Sequence, residues 1–261
     1  MTPASKGRFE GRVTLVTGGA RGIGYAAAQR IAAEGGRLAL ADIDGKAADD
    51  AAATIPGAIG VACNITRETE VRQMVEYIER QLGPLDIFVN SAAVLDDKLF
   101  LESSPADWDR MLSVCLHGPM LGLRTVLPGM VARGYGRVVC LASDAARIGQ
   151  VRLSYYAAAK AGVIALVKSV AQEVGRSGVT LNVVSPGATD TPLRIEREER
   201  MRSEMGEEKY ARRVRSVLKL YPTGRIGQPA DIASSIAFLC SDDAAWITGQ
   251  VLSVNGGFVM P

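Results

Sequence analysis

The chain has 261 residues, of which 48% are hydrophobic and 22% charged, a composition that excludes an intrinsically disordered or fibrous protein. Its 30 basic and 28 acidic residues nearly cancel, which argues against a nucleic-acid-binding protein. The chain has no apolar run long enough for a membrane helix, and its start, MTPASKGRFEGR, lacks the apolar core of a secretory leader. Four dispersed cysteines and the single His117 fit no common zinc pattern. We therefore expect a cytoplasmic protein with reduced, buried thiols, no metal site and no membrane partner.

Short apolar strands alternate with helical patterns along the whole chain. The predicted strands are RVTLVT (12–17), RLALAD (37–42), AIGVAC (58–63), LDIFVN (85–90), GRVVCLAS (136–143), VTLNVVS (179–185) and QVLSVN (250–255). The predicted helices lie at 22–34, in the alanine-rich stretch before 58, at about 67–82, within 105–133, from near Ser154 and near 229–240. Strands that are apolar throughout indicate a parallel sheet covered on both faces. The sequence therefore predicts one α/β domain over 1–261, a doubly wound Rossmann-type fold with a seven-stranded parallel sheet flanked by helices.

The segment 193–220 interrupts this alternation because it is long and highly charged. We expect it to form a surface helix pair or a lid-like insertion. Its part 209–219 carries five basic residues and no acidic one, namely Lys209, Arg212, Arg213, Arg215 and Lys219. Such residues suit phosphate recognition, and the alternative is an exposed helix that balances the acidic segment 196–208.

A glycine-rich turn, TGGARGIG, follows the first predicted strand and leads directly into a helix. Gly18, Gly22 and Gly24 allow a tight turn and a close approach of the backbone to a pyrophosphate, with Arg21 and Ile23 in the same loop. The N–H groups at the helix N-terminus suit the phosphates. A plain turn would explain the glycines alone, but the strand before and the helix after favour dinucleotide binding.

Asp42 ends the second predicted strand, 18 residues after Gly24. A carboxylate at this place accepts hydrogen bonds from the ribose hydroxyls and repels a 2′-phosphate, which favours NAD over NADP. Two alternatives stay open. Asp42 and Asp44 could be ordinary loop acids, and Arg21 could hold a 2′-phosphate.

Tyr156 and Lys160 are four residues apart near the start of a predicted helix, so they share one face. A neighbouring ammonium favours the phenolate, which makes Tyr156 a candidate acid/base. Tyr155 would pair with Ala159 and has no such partner. In isolation, a tyrosine and a lysine at this spacing would more often be surface residues.

Six motifs in order resemble the short-chain dehydrogenase/reductase family across essentially the whole chain. They are TGGARGIG, Asp42, VNSAA (89–93), Ser143, the pair Tyr156 and Lys160, and PGATDTP (186–192). Tyr156 follows Ser143 by 13 residues and Lys160 follows it by 17. The resemblance implies that Ser143 hydrogen-bonds the substrate oxygen and that Tyr156 moves its proton. It implies that Lys160 binds the nicotinamide ribose and lowers the tyrosine pKa. It also implies a homotetrameric oxidoreductase acting on CH–OH groups, with the glycine pair 256–257 beside an oligomer interface.

The same resemblance implies further cofactor contacts. Asn64 would meet the adenine, Asn90 would lie beside the cofactor, and Thr189 and Thr191 would contact the nicotinamide carboxamide. The neighbouring residues expected to line the same site are Cys63, Ile65, Ala92, Pro186 and Gly187.

Three positions depart from the family pattern. Ala93 replaces a glycine, and Asn64 replaces an aspartate while still offering an amide oxygen. Cys115, in SVCLHG (113–118), replaces an asparagine that is associated with a water-mediated proton path from the lysine. A thiol is a weak hydrogen-bonding group, so we expect an altered relay at this position.

The segments 127–149, 182–193 and 241–257 look closest to the 2-hydroxycyclohexanecarboxyl-CoA dehydrogenase branch of the family. This resemblance implies oxidation of a secondary alcohol on a cyclic hydroxyacyl-CoA, using NAD. Asp144 and Arg147 are candidate substrate contacts, with ordinary surface positions as the alternative. Two other functions compete with this interpretation. One is an NADPH-dependent 3-oxoacyl thioester reductase, and the other is a catalytically idle dinucleotide-binding scaffold, which only Cys115 favours.

Overall fold

The computed structural model describes residues 7–260. In it, helices and strands alternate as the sequence predicts. The expectation that the chain lacks a secretory leader concerns its first residues and so lies partly outside this range. The strands are β1 (Val13–Thr17), β2 (Arg37–Asp42), β3 (Ile59–Ala62), β4 (Ile87–Asn90), β5 (Gly136–Leu141), β6 (Val179–Pro186) and β7 (Val251–Val254). The α-helices are α1 (Gly22–Ala32), α2 (Gly45–Ala52), α3 (Glu68–Leu82), α4 (Pro105–Leu112), α5 (Gly118–Arg133), α6 (Ala145–Ile148), α7 (Ser154–Val174), α8 (Pro192–Met205), α9 (Glu207–Leu218) and α10 (Pro229–Cys240).

The seven strands form one parallel sheet in the order β3-β2-β1-β4-β5-β6-β7, which confirms the predicted fold class. The direction of winding reverses between β1 and β4, and a ligand crevice opens at the carboxyl ends of the strands at such a point. There Thr17 pairs with Asn90, and the Thr17 hydroxyl donates to Asn90 Oδ1 at 3.0 Å. The sheet therefore places the motifs after β1 and β4 side by side.

Helices cover both faces of the sheet, so adjacent residues of one strand enter different cores. Leu15 packs in the core beneath α3, α5 and α7, whereas Val16 packs in the core beneath α1 and α10. Both side chains are fully buried, and so are all four cysteines, as predicted for core thiols. Within residues 7–260, no helix has the length and apolar character that crossing a bilayer requires.

The predicted helical segment 105–133 is interrupted by a π-helical turn, Ser113–His117, between α4 and α5. Pro119 lacks the N–H that would bond the carbonyl of Cys115 in a regular α-helix, which accounts for the break. Cys115 therefore lies in an irregular turn, and its side chain is fully buried.

The charged segment 193–220 forms α8 and α9, which confirms the predicted helix pair. The carboxylate of Glu198 on α8 accepts hydrogen bonds from Tyr210 at 3.1 Å and Arg213 at 2.7 Å, both on α9. These partly buried polar contacts join the two helices. A lid function for the pair stays a prediction.

Candidate active site

The glycine loop after β1 packs closely against the loops that follow β4 and β6. A Cβ atom at Gly18 would lie 2.7 Å from the backbone of Ala92, and the φ of +64° also favours glycine there. A Cβ atom at Gly24 would collide with the carbonyl oxygen of Gly18. One at Gly22 would lie 3.5 Å from Thr191 Cγ2. Three of the predicted cofactor motifs therefore meet at the carboxyl edge of the sheet.

This edge fits the phosphates and ribose of a dinucleotide. The capping residue of α1, Arg21, makes no side-chain capping bond, and the first turn of α1 contains no acidic residue, so its N–H groups suit an anion. The buried amide of Asn90 presents Nδ2 without any acceptor among residues 7–260. A buried donor left unsatisfied at the crevice is a group that a bound ligand can satisfy. The residues present therefore fit the cofactor that the sequence predicts.

Asp42 ends β2, as predicted, and Asp44 lies just beyond it. Asp44 caps α2 by accepting from the N–H of Ala47 at 3.1 Å, which gives it a structural role. Asp42 Oδ1 accepts from the N–H of Asp44 at 3.2 Å, and Oδ2 has no hydrogen-bond donor among residues 7–260. Asp42 therefore retains an oxygen that can bind a hydroxyl group. Arg21, in the glycine loop, is exposed.

The predicted adenine contacts follow β3. The amide oxygen of Asn64 accepts from the backbone N–H of Thr66 at 3.0 Å and from its hydroxyl at 2.8 Å. Both lone pairs of that oxygen are thus used, and an adenine contact by this side chain falls to its Nδ2 rather than to the expected oxygen. Cys63 is buried and donates its N–H to Asp42 O at 2.9 Å, and Ile65 packs beside Gly118.

The PGATDTP loop follows β6 and is tied to the C-terminal strand. Pro186 ends β6, and the N–H of Gly187 donates to Val254 O at 3.1 Å. The Thr189 side chain is buried, and its hydroxyl donates to Gly187 O at 3.1 Å. Thr191 caps α8 by accepting from the N–H of Arg194 at 3.3 Å. Both threonines therefore stabilise this loop, and their carboxamide contacts stay a prediction.

The structure brings Ser143, Tyr156 and Lys160 together at the ends of β5 and α7. Lys160 is 1% exposed, and its Nζ donates to Leu141 O at 2.8 Å. Burial raises the pKa of Tyr156, the nearby Cys115 thiol raises it further, and a hydrogen bond with Ser143 lowers it. Burial has the largest effect, so the phenol is neutral near pH 7.

Tyr155, which had no predicted polar partner, has one in the structure. It is buried, and its hydroxyl donates to Asp96 Oδ2 at 2.8 Å. Burial and the Asp96 carboxylate both raise the pKa of Tyr155. This tyrosine therefore fixes the loop after β4 to α7.

Asp144 is a candidate substrate contact with a surface position as the alternative, and the structure shows that the surface alternative is wrong because the side chain is buried. A substrate contact stays a prediction. The Asp144 side chain is 2% exposed, and its oxygens accept from Ser185 at 2.9 Å and from Asn255 at 2.6 Å. The carboxylate thus joins β6 to the segment after β7. Arg147 donates to the hydroxyl of Ser253 at 2.5 Å, so one of its donors is also used within the protein.

Sequence reasoning missed a second group around the cleft, formed by Asp97, Arg152 and Arg197. Both arginines donate to the carboxylate of Asp97. The only local signal was the charged run DDK (96–98), which begins six residues after the last residue of a buried strand. The partners lie 55 and 100 residues away in the chain, so no spacing pattern connects them.

Comparisons with known proteins agree with this geometry. The family described as Enoyl-(Acyl carrier protein) reductase matches residues 18–259. The 3-oxoacyl-[acyl-carrier-protein] reductase FabG of Escherichia coli is 34% identical over 257 residues, covering 97% of this chain and 99% of its own. A probable short-chain type dehydrogenase/reductase of Bradyrhizobium diazoefficiens is 38% identical over 263 residues, covering 97% of this chain and 89% of its own. The crystal structure of a levodione reductase matches with a TM-score of 0.89 at 32% identity, covering 95% of this chain and 98% of that chain.

These likenesses extend over nearly the whole chain, and the fold, the glycine loop and the serine–tyrosine–lysine group lie within the matched range. The chain belongs to the short-chain dehydrogenase/reductase family and is a nicotinamide-dinucleotide-dependent oxidoreductase that acts on CH–OH groups.

Proposed function

We propose that the enzyme interconverts a secondary alcohol and a ketone with NAD, on a cyclic hydroxyacyl-CoA of the 2-hydroxycyclohexanecarboxyl-CoA type. The observation that carries the reaction is the convergence of Ser143, Tyr156 and Lys160 at one edge of the sheet. The resemblance of the segments 127–149, 182–193 and 241–257 to that branch of the family supports the substrate class.

In this reaction Tyr156 transfers the proton and Ser143 holds the substrate oxygen. Because burial keeps the phenol neutral, its hydroxyl can protonate a carbonyl oxygen directly in the reductive direction. For oxidation the hydroxyl must first lose that proton. Ser143 can donate a hydrogen bond to the same substrate oxygen and stabilise the charge that develops there.

Lys160 holds a positive charge beside the tyrosine. An ammonium has three donors, and one of them is used on Leu141 O. The other two suit the ribose hydroxyls of the cofactor, and the charge favours the phenolate during oxidation. When bound, the nicotinamide accepts or supplies the hydride.

Asp42 supports NAD as the cofactor. Its Oδ2 lies at the end of β2 without a hydrogen-bond donor among residues 7–260, so it can accept from ribose hydroxyls. The same carboxylate repels a 2′-phosphate. The exposed Arg21 is the feature that favours NADP, and the charge of Asp42 at the ribose position opposes it.

The basic surface of α9 supports a CoA thioester. Of the five cations in 209–219, Arg212 pairs with Glu208 and Arg213 with Glu198. Lys209, Arg215 and Lys219 form no ion pair within residues 7–260 and remain available for phosphate groups. The two pairs that do form favour the alternative, a helix that balances its own acids.

A second candidate is an NADPH-dependent 3-oxoacyl thioester reductase. The relatives named as 3-oxoacyl-[acyl-carrier-protein] reductases favour it, at 34% identity over nearly their whole length. The levodione reductase likeness is consistent with both candidates, since each reduces a ketone. An idle dinucleotide-binding scaffold is the candidate from another class, and the complete serine–tyrosine–lysine group argues against it.

A turnover screen separates the three candidates. Acetoacetyl-CoA, 2-oxocyclohexanecarboxyl-CoA and cyclohexanone are each offered with NADH and with NADPH, and the Tyr156→Phe variant is the control for background. We expect the fastest turnover with the cyclic thioester and NADH. Preference for acetoacetyl-CoA with NADPH would establish the second candidate, and cofactor binding without turnover of any ketone would establish the third.

A further inference from the structure

Residues 94–98, the loop that follows β4, are held beside the cleft by one carboxylate with two arginine partners. Asp97 Oδ1 accepts from Arg152 Nε at 2.6 Å, and Asp97 Oδ2 accepts from Arg197 Nε at 2.6 Å. The Asp97 side chain is 8% exposed. Burial acts to raise the pKa of Asp97, but the two hydrogen bonds outweigh it and hold the pKa below its usual value. Asp97 is therefore ionised and paired on both oxygens.

Arg152 lies four residues before Tyr156, in the turn that leads into α7. Among residues 7–260, it is the only non-glycine residue in the left-handed region, with φ of +70°. Its Nη2 also donates to Asp97 O at 2.9 Å, and its carbonyl accepts from the N–H of Lys98 at 3.3 Å. A strained backbone of this kind persists where its surroundings fix it. Three contacts with residues 97–98 thus fix the turn that begins the catalytic helix.

Arg197 belongs to α8, the first helix of the charged insertion, and its side chain is 12% exposed. The next residue, Glu198, joins α8 to Tyr210 and Arg213 of α9. Among the ion pairs of residues 7–260, the pair of Arg197 with Asp97 alone connects this helix pair to chain outside 190–221. The insertion is therefore joined within itself and fastened to the body by one charged contact.

We propose that Asp97 is a positioning residue that fixes the turn before the catalytic helix through Arg152 and fastens α8 and α9 beside the substrate cleft through Arg197. The link between Arg152 and residues 97–98 has three contacts and persists through the reaction cycle. The link between Arg197 and Asp97 is a single ion pair, and it opens when substrate enters or product leaves. The kinetic part of this proposal rests on the proposed ketone–alcohol reaction, whereas the fastening of α8 does not.

Hydrogen exchange of α8 and steady-state kinetics with 2-oxocyclohexanecarboxyl-CoA and NADH test the proposal in the variant Arg197→Gln. Arg202→Gln is the matched control, because Arg202 lies on the same helix and donates through Nε to Glu207 at 2.5 Å within the insertion. We expect exchange of α8 to become about tenfold faster in Arg197→Gln, and the KM for 2-oxocyclohexanecarboxyl-CoA to rise by about the same factor, as loss of a charged hydrogen bond predicts. The NADH dissociation constant should not change, and neither effect should appear in Arg202→Gln.

Asp97→Asn separates the two halves of the contact. It weakens both arginine pairs, so we expect the effects of Arg197→Gln together with a lower kcat, because the turn before Tyr156 loosens as well. If Asp97→Asn does not fold, Arg197→Gln still tests whether the ion pair fastens α8, because Arg197 lies on the insertion and its replacement leaves Asp97 and Arg152 in place.

Two results would overturn the proposal. Equal exchange of α8 in Arg197→Gln and Arg202→Gln would show that the contact does not fasten the insertion. Faster exchange with unchanged KM and kcat would show that the contact is structural and positions nothing for the reaction. Absence of turnover in the unaltered enzyme would instead count against the proposed function, and the exchange comparison would still decide the fastening.

Discussion

The side-chain nitrogen of Lys160 lies 5.9 Å from the ring centre of Tyr156, one helical turn further along α7. It is held there by the carbonyl oxygen of Leu141, at the end of β5, at 2.8 Å. The Lys160 side chain is thus fixed beside the phenol. Burial and the Cys115 thiol nevertheless raise the pKa of Tyr156 and outweigh the hydrogen bond with Ser143, so the expected lowering of this pKa by Lys160 is not observed. Tyr156 therefore holds its proton near neutral pH, and alcohol oxidation requires that this proton leave first.

Replacing Tyr156 by Phe removes the proton donor and leaves the ring in place. We expect kcat to fall by about 10²–10⁴-fold, the usual contribution of a positioned acid or base, while cofactor affinity stays largely intact. Steady-state kinetics and a fluorescence titration with NADH measure the two quantities.

Tyr155→Phe is the control for that change. It removes the hydrogen bond to Asp96, so we expect a loss of about 1 kcal/mol in the free energy of unfolding and little change in kcat. Equal losses of kcat in the two variants would contradict the assignment of Tyr156 as the proton-transfer residue.

The sequence predicted what depends on local pattern. The strands were found because their apolar runs are continuous, and Tyr156 and Lys160 were placed together by their four-residue spacing. The break at Ser113–His117 also has a local cause, Pro119, although the periodicity of the segment predicts only continuous helix.

Contacts between distant segments could not be predicted in the same way. Asp144 directly follows Ser143, and the sequence leaves it open between a substrate contact and a surface position. Its burial depends on Asn255, 111 residues away, whose position is set by the pairing of β6 with β7. The arginine partners of Asp97 likewise come from two segments that only the fold brings together.

Removing the carboxylate of Asp42 should change the choice of cofactor. In Asp42→Ala the repulsion of a 2′-phosphate is lost, and the exposed Arg21 can attract it, so the ratio of NAD to NADP efficiency should shift toward NADP. The kcat/KM values for both cofactors measure this ratio. If the unaltered enzyme already prefers NADP by about tenfold, a difference of about 1.4 kcal/mol, the role of Asp42 is contradicted.

The buried carboxylate of Asp144 predicts a specific dependence of stability on pH. Burial raises its pKa in the folded protein, against the lowering effects of Asn255, Ser185 and Arg147. The folded state therefore binds the proton more tightly than the unfolded chain, and stability falls as the pH rises from the unfolded pKa of about 3.9 through the folded value.

Asp144→Asn removes this titration. Its amide can accept from Asn255 and donate to the hydroxyl of Ser185, so both contacts can be kept. We expect the melting temperature of the variant, relative to the unaltered protein, to increase between about pH 4 and pH 7. A decrease in this relative melting temperature over that range would mean that the folded protein lowers the pKa of Asp144, which contradicts the expected direction.

The last prediction concerns Cys115, which stands in the π-helical turn close enough to Tyr156 to raise its pKa. Its thiol is fully buried, 3.5 Å from Val94 O and 3.6 Å from Met111 Sδ. An asparagine here has donors for Val94 O and an oxygen that can hold a water beside Lys160, which a thiol does poorly. In Cys115→Asn we therefore expect a higher kcat for alcohol oxidation at neutral pH, with little change in NAD affinity.

The gain should shrink at high pH, because solvent then removes the proton without help from a relay. Tight packing around the sulfur should at the same time lower the free energy of unfolding by about 1–3 kcal/mol, the cost of an incompletely paired buried amide. Cys115→Ala provides the comparison, since it empties the position without adding a polar group and should give no gain at any pH. The pH–rate profile and the melting temperature of both variants separate the two effects. A pH–rate profile of Cys115→Asn that matches the unaltered enzyme at every pH would contradict a role of position 115 in proton release, because the amide would then release the proton no faster than the thiol.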